Sequence, residues 1–239
     1  MSKVHIGSTP KGGSGKTFTT SLLSQVLSAA HSDVLILDLD QENPTLSQYK
    51  ALNVHKISVM GESREIDSKK FDTLLALILE HEGDVIIDVG SNSFTPLLSY
   101  ALESAMFDTI EAGGKQVVLH SIICGGSGLK DTTSGFANVA ELTNSPIVLW
   151  LNEHFGALEM DGIKIENAKV VQKYADRIIG TIKLQKRNPA TFGSDIDKMS
   201  KMRLTFDEVD QSDAFMVAEK VRLRMVRKAV FDQLEALAL

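Results

Sequence analysis

The 239-residue chain has one cysteine, one tryptophan and five prolines. Lone Cys124 closes no internal disulfide and lacks the paired thiolates that an electron-carrying iron–sulfur protein needs. Six histidines, His5, His31, His55, His81, His120 and His154, show no i, i+4 pairing and no cysteine neighbour, which argues against zinc. No G-x-S-x-G elbow marks a serine hydrolase. No apolar run approaches the roughly 18 to 20 residues that cross a bilayer, so no transmembrane segment is expected. No repeat, low-complexity stretch or Pro/Gly linker divides the chain, and the expectation is a single domain over 1–239.

The first residues carry the strongest signal. A short apolar run, Val4 His5 Ile6, breaks at once into Pro10 Lys11 Gly12 Gly13 Ser14 Gly15 Lys16 Thr17. Glycines free backbone amides to face phosphate oxygens, Lys16 reaches the outer phosphates, and the Thr17 hydroxyl suits Mg²⁺ at a helix N-terminus. This is a phosphate-binding loop for a nucleoside triphosphate. It starts too early to leave room for a signal peptide, which implies a cytoplasmic protein.

Short apolar strands at 4–8, 34–38, 85–88, 117–121, 147–151 and 178–182 alternate with helical segments at 16–30, 69–82, 94–106, 130–142 and 166–175. Residues 214–237 read as a closing helix. This alternation predicts a three-layer α/β P-loop NTPase fold with a mostly parallel central sheet flanked by helices. Segment 185–212, with Asn188 Pro189 and a Gly193 Ser194 Asp195 turn, reads as a structured excursion at the nucleotide edge or a partner surface. A second glycine cluster, Gly125 Gly126 Ser127 Gly128, has no following lysine and reads as a tight strand-to-helix turn beside a buried, inert Cys124.

Charge is unevenly spread. Residues 1–163 hold 10 Lys/Arg against 20 Asp/Glu, and residues 164–228 hold 15 against 9. Lys220, Arg224, Arg227 and Lys228 share one helical face, a candidate for non-specific DNA binding as well as an ordinary solvated surface. Met216, Val217, Val221, Met225, Val226 and Val230 are expected to be core contacts of the same helix.

The loop departs from the common G-x-x-x-x-G-K-[ST] pattern by Pro10 in place of glycine and by a second lysine, Lys11. It resembles the deviant KGGxGKT loop of the ParA/MinD superfamily of dimeric ATPases. The resemblance implies ATP and Mg²⁺ as cofactors, contacts from Gly12, Gly13, Ser14, Gly15, Lys16, Thr17 and Phe18, and a nucleotide-dependent homodimer in which Lys11 reaches the partner's phosphates. Val34 Leu35 Ile36 Leu37 Asp38 Leu39 Asp40 ends a strand where open α/β sheets bind ligands. By resemblance Asp40 orients the attacking water, although Gln41 stands where the family has proline. Asp38 supports it, with a metal role through water; strand-end capping is the alternative for both. Asp88, ending Asp84 Val85 Ile86 Ile87 Asp88, fits the element that holds Mg²⁺ through water, and Gly90–Ser93 the γ-phosphate-sensing switch. Asn152, ending another strand, suits the adenine edge by its donor and acceptor amide and by resemblance; an Asx-turn is its alternative.

Further stretches, including Asp88 Val89 Gly90 Ser91 Asn92 Ser93 Phe94 Thr95 Pro96 Leu97, Asp131 Thr132 Thr133 Ser134 Gly135 Phe136 and Phe231 Asp232 Gln233 Leu234 Glu235 Ala236, resemble the TraL family of ParA-like conjugative-transfer proteins over nearly the whole chain. This implies a slow, partner-stimulated ATPase switch in plasmid conjugation, with conjugation or partition proteins as partners. The rival readings are a small-molecule ligase of the same fold, a non-hydrolysing ATP-binding scaffold and a partition ATPase on DNA.

Overall fold

The computed structural model describes residues 1–31, 33–62, 65–160 and 162–239. Seven parallel strands form its sheet: β1 (Lys3–Gly7), β2 (Val34–Asp38), β3 (His55–Lys56), β4 (Asp84–Asp88), β5 (Gln116–Cys124), β6 (Ile147–Asn152) and β9 (Ile178–Leu184). Their order is β3-β2-β4-β1-β5-β6-β9. The remaining two, β7 (Glu159–Met160) and β8 (Ile163–Lys164), make a small hairpin. In β4 all five residues are buried, as a strand covered on both faces requires.

Alternate side chains feed two helical layers. Val4, Ile6, Val85 and Ile87 face α2 (Phe71–Glu80), α3 (Ser91–Glu103), α4 (Met106–Ala112) and α5 (Leu129–Leu142) through Phe71, Leu97, Ile110 and Phe136. Ile86, Val118, Ile122 and Trp150 face α1 (Lys16–Ala30), α7 (Ser194–Met202), α8 (Phe206–Gln211) and α9 (Val217–Glu235) through Leu22, Met199, Val209 and Val226. At about 25 cal/mol per Å² of apolar surface removed from water, these two layers are the main source of stability.

β1 lies between β4 and β5, so the chain switches side there and the C-terminal strand ends open one crevice. The sequence expectation of a parallel P-loop sheet holds, with every pairing within the seven-stranded sheet parallel. Other details differ. The expected helix at 166–175 contains one α-turn, α6 (Lys169–Gln172), between 3₁₀ turns. Its buried residues Ile165, Ala168 and Val171 recur every third position, and the amides of Ala168, Val171 and Tyr174 donate to carbonyls three residues back, so the local period is 3.0. The helix α4 and the short edge strand β3 were not anticipated, since neither carries enough periodic residues to register.

In α9, Leu223, Val226, Val230 and Leu234 are buried. Met216, Val217, Val221 and Met225 are exposed, contrary to the expectation of core contacts: the 217, 221, 225 row lies to one side of the inward stripe. Among the described residues no helix is long and apolar enough to cross a membrane.

Candidate nucleotide-binding site

The loop between β1 and α1 folds around two left-handed glycines, Gly13 at φ 71° and Gly15 at φ 97°. A side chain at either position would be strained, which is why glycine is required there. Gly15 caps α1 with no side chain bonded to that end, and the first turn holds no acidic residue. The amides of α1 are left for an anion. Pro10, the departure from the glycine pattern, seats its ring against Gly135 of α5, where a Cβ would lie 3.0 Å from Pro10 Cδ.

The two loop lysines lie in different environments. Lys16 is 9% exposed, and its ammonium donates to Lys11 O at 3.1 Å and to Ser91 Oγ at 2.9 Å. Burial lowers its pKa, and Asp88 and Asp40 oppose that shift. The Lys11 side chain is 48% exposed and pairs with Asp131 on the first turn of α5, Nζ to Oδ2 2.8 Å. The pairing raises the pKa of Lys11 and lowers that of Asp131.

Asp88, at the end of β4, is 1% exposed and accepts from Thr17 Oγ1 at 2.8 Å and from Thr20 Oγ1 at 3.0 Å. Burial pushes its pKa up to about 6, against the two hydroxyls and Lys16. Hard oxygens of Thr17 and Asp88 side by side fit Mg²⁺, whose charge would stabilise the buried carboxylate. Asp38, beside it in β2, accepts from the amides of Asp40 and Ser47, so both of its oxygens brace the following turn.

Asp40 accepts from the amides of Glu42 and Asn43 and rests against Gly90. Gln41, in the position of the family's proline, donates to the carbonyls of Leu39 and Ile57 and accepts from Val59 N. These three bonds tie the loop to the edge of the sheet, a restraint that proline would supply through its ring. Opposite, α3 begins at Ser91, and Asn92 donates to Glu42. A cavity of about 460 Å³ lies between Pro10, Gly12, Asp40, Glu42, Ser91 and Asn92.

On the other side of the loop a cavity of about 220 Å³ is lined by Gly15, Phe18, Asn152, Phe155, Gln185 and Ile196, large enough to take part of a purine nucleoside. Asn152 is buried; its amide donates to Ser14 O at 3.2 Å, and its oxygen accepts from His154 N at 3.1 Å. It therefore clamps the phosphate loop and also forms the turn given above as its alternative. The 185–212 excursion does lie at this edge, through Gln185, Arg187, Ile196 and Ser200. Sequence reasoning missed the cavity wall supplied by α9, Val226 and Val230, the Lys11 partner Asp131 and the Asp88 partner Thr20. Only Asp131 carried a signal, inside the Asp131 Thr132 Thr133 stretch.

Gly125 and Gly126 pack against the Phe155–Ala157 backbone, where a Cβ on Gly125 would fall 2.0 Å from Gly156 O; the cluster is a close-packed turn as expected. Cys124 is buried behind the loop, and burial pushes its thiol up to about 11. The basic face of α9 is locally neutralised: Arg224 pairs with Asp210, Arg227 with Asp207 and Lys228 with Asp232, and Lys220 donates to Asp210 O.

The fold and this cradle define a P-loop nucleotide-binding protein with a second loop lysine. The profile of the CobQ/CobB/MinD/ParA nucleotide binding domain matches residues 8–238, and the chain belongs to that family. Along its whole length it is similar to two proteins of Escherichia coli, each called Protein TraL. One is 34% identical over 240 residues, covering 100% of this chain and 99% of the relative. The other is 34% identical over 237 residues, covering 98% of each. Among solved structures it is similar in fold to a chain of the MinC:MinD cell division protein complex of Aquifex aeolicus, with TM-score 0.56, 14% identity and 99% and 96% of the chains covered. It is also similar to the septum site-determining protein MinD of Pyrococcus horikoshii OT3 in complex with Mg-ADP, with TM-score 0.55, 16% identity and 100% and 98% covered.

Proposed function

We propose that the chain is an ATP-dependent dimerising switch, a slow, partner-stimulated ATPase acting in the cytoplasm in plasmid conjugative transfer. The observation that carries the reading is the division between the two lysines. Lys16 is folded into its own loop, whereas Lys11 faces α5 and solvent. A lysine held at the mouth of a phosphate cradle but directed out of it suits contact with the nucleotide of a second copy.

In this reading the amides of Gly12 to Thr17 and the Lys16 ammonium hold the phosphates, while the Asn152 side of the loop receives the base. Thr17 and Asp88 would hold Mg²⁺, which supplies charge neutralisation to the phosphates when bound. Asp40 orients water for attack on the γ-phosphorus, giving ADP and phosphate. Lys16 and a partner's Lys11 offset the charge that develops as the phosphoryl group departs. The place in conjugation rests on the whole-length similarity to the TraL proteins.

The test is nucleotide titration and sedimentation of the wild type with Mg-ATP and Mg-ADP. ATP-specific dimers with slow phosphate release support the switch. Tight ATP binding without turnover, even with a conjugation partner and DNA present, would leave a binding scaffold instead.

A further inference from the structure

Three aromatic rings on neighbouring strands are bonded in series on the α1 side of the sheet. Trp150 Nε1 on β6 donates to His120 Nδ1 on β5 at 3.0 Å, and His120 Nε2 lies 3.0 Å from His5 Nδ1 on β1. The indole nitrogen is only a donor, and burial keeps both imidazoles neutral by lowering their pKa values. His120 therefore carries its proton on Nε2 and donates to His5, whose own proton is left on Nε2. That donor is fully buried and has no partner among the described residues. It borders a cavity of about 10 Å³ between β1 and α1, the room of one water molecule, lined also by Gly7, Thr19, Thr20 and Ile87.

Gly7 shares a face of β1 with His5, and its lack of a side chain opens this space. A Cβ there would stand 3.6 Å from Ile87 O and 4.0 Å from Thr20 Oγ1, in ordinary contact. Thr20 leads on to the metal side of the site. Its Oγ1 lies 3.0 Å from Asp88 Oδ1 and 3.0 Å from Lys16 O, and its single proton favours the carboxylate over the peptide carbonyl. A hydroxyl that donates to Asp88 still accepts, so a water bonded by His5 has a place to send its own proton. All the donors then point one way, from Trp150 to Asp88.

We propose that one buried water in this cavity joins His5 Nε2 to Thr20 Oγ1, and that His5 is thereby a positioning residue for Asp88: the row Trp150, His120, His5, water and Thr20 holds the carboxylate in the orientation that receives Mg²⁺. The water site stands on the cavity and the unpartnered donor, while its consequence for the metal rests on the nucleotide reading above. Groups that fix the orientation of a metal-holding side chain strengthen its hold on the metal without touching the ion.

The experiment has two arms. A high-resolution crystal structure of the metal-free wild type should show one ordered water within hydrogen-bond distance of His5 Nε2 and Thr20 Oγ1, and ¹⁵N spectra should show His5 as the Nε2–H tautomer. A dry cavity or the other tautomer overturns the proposal. In the second arm ADP binding is titrated with Mg²⁺ and with EDTA in the wild type, Gly7→Ala, His5→Leu and His5→Gln. Gly7→Ala puts a methyl group in the place of the water, and His5→Leu removes the donor. Both should lower the Mg²⁺-dependent gain in ADP affinity by about tenfold, with binding in EDTA unchanged. His5→Gln, whose amide can accept from His120 and donate to the water, should keep the gain. An unchanged gain in Gly7→Ala and His5→Leu, or an equal loss with and without Mg²⁺, overturns the role of His5 and leaves the nucleotide reading standing. A wild type that binds no ADP takes down that reading and the metal role of His5 with it.

Discussion

Lys11 Nζ lies 2.8 Å from Asp131 Oδ2, so the extra lysine of the phosphate loop is held by an acidic residue of its own chain. Both side chains are about half exposed, and an exposed pair of this kind is readily exchanged for another partner. In the switch reading Asp131 parks Lys11 until a second copy presents its phosphates. Asp131→Asn should lower the protein concentration at which ATP dimers form by a few fold without changing ATP affinity of the monomer. Sedimentation velocity over a concentration series checks this; a shift to higher concentrations would mean that Asp131 supports the dimer.

Lys16→Ala should abolish measurable nucleotide binding, because it removes the buried ammonium that the proposed reading places against the phosphates. Isothermal titration with Mg-ATP measures it, and near-native affinity would move the phosphate site away from this loop.

Asp40 and Gly90 are in contact, and a Cβ on residue 90 would fall 2.8 Å from Asp40 Cγ. Gly90→Ala must displace the carboxylate, so it should reproduce Asp40→Ala: ATP still binds and the dimer persists, with turnover down by on the order of 10²-fold, as for loss of a positioned base. Phosphate release under single-turnover conditions separates the outcomes. Hydrolysis at the wild-type rate in Asp40→Ala would assign water positioning elsewhere.

Trp150 Nε1 donates to His120 Nδ1 at 3.0 Å, and His120 Nε2 lies 3.0 Å from His5 Nδ1. Indole is only a donor, so His120 is neutral and protonated on Nε2, and donates onward to His5. Burial lowers the pKa of His120 to about 3 and that of His5 well below the usual value of 6.5. Both groups bind fewer protons folded than unfolded, so the stability they contribute is complete above pH 6.5 and is lost as pH falls from there toward 3. Urea unfolding at pH 7.5 and 5.0 should show a weaker fold at the lower pH, and His120→Gln should reduce that difference. A His120→Gln difference equal to that of the wild type would contradict this.

The parallel sheet, the phosphate loop and the carboxylates Asp38, Asp40 and Asp88 were legible in the sequence because each follows a short apolar strand, and strand ends of one sheet converge. The 3₁₀ character of 165–175 was not, because a three-residue period over ten residues looks like a helix. Partners of the site residues were hidden for another reason. Asp131 is 120 positions from Lys11, and Ser91 is 75 from Lys16. Neither separation leaves a local pattern. The exposed row Met216, Val217, Val221 and Met225 was misassigned since hydrophobicity alone does not say which side of a helix meets the core.

The central claim is that Lys11 serves a neighbouring copy while Lys16 serves its own loop. Sedimentation equilibrium of wild type, Lys11→Ala and Asp40→Ala with Mg-ATP and with Mg-ADP tests it most directly. The account predicts ATP-specific dimers for the wild type, persistent dimers for Asp40→Ala, and a monomeric Lys11→Ala that still binds ATP. An ATP dimer of wild-type affinity in Lys11→Ala would contradict it.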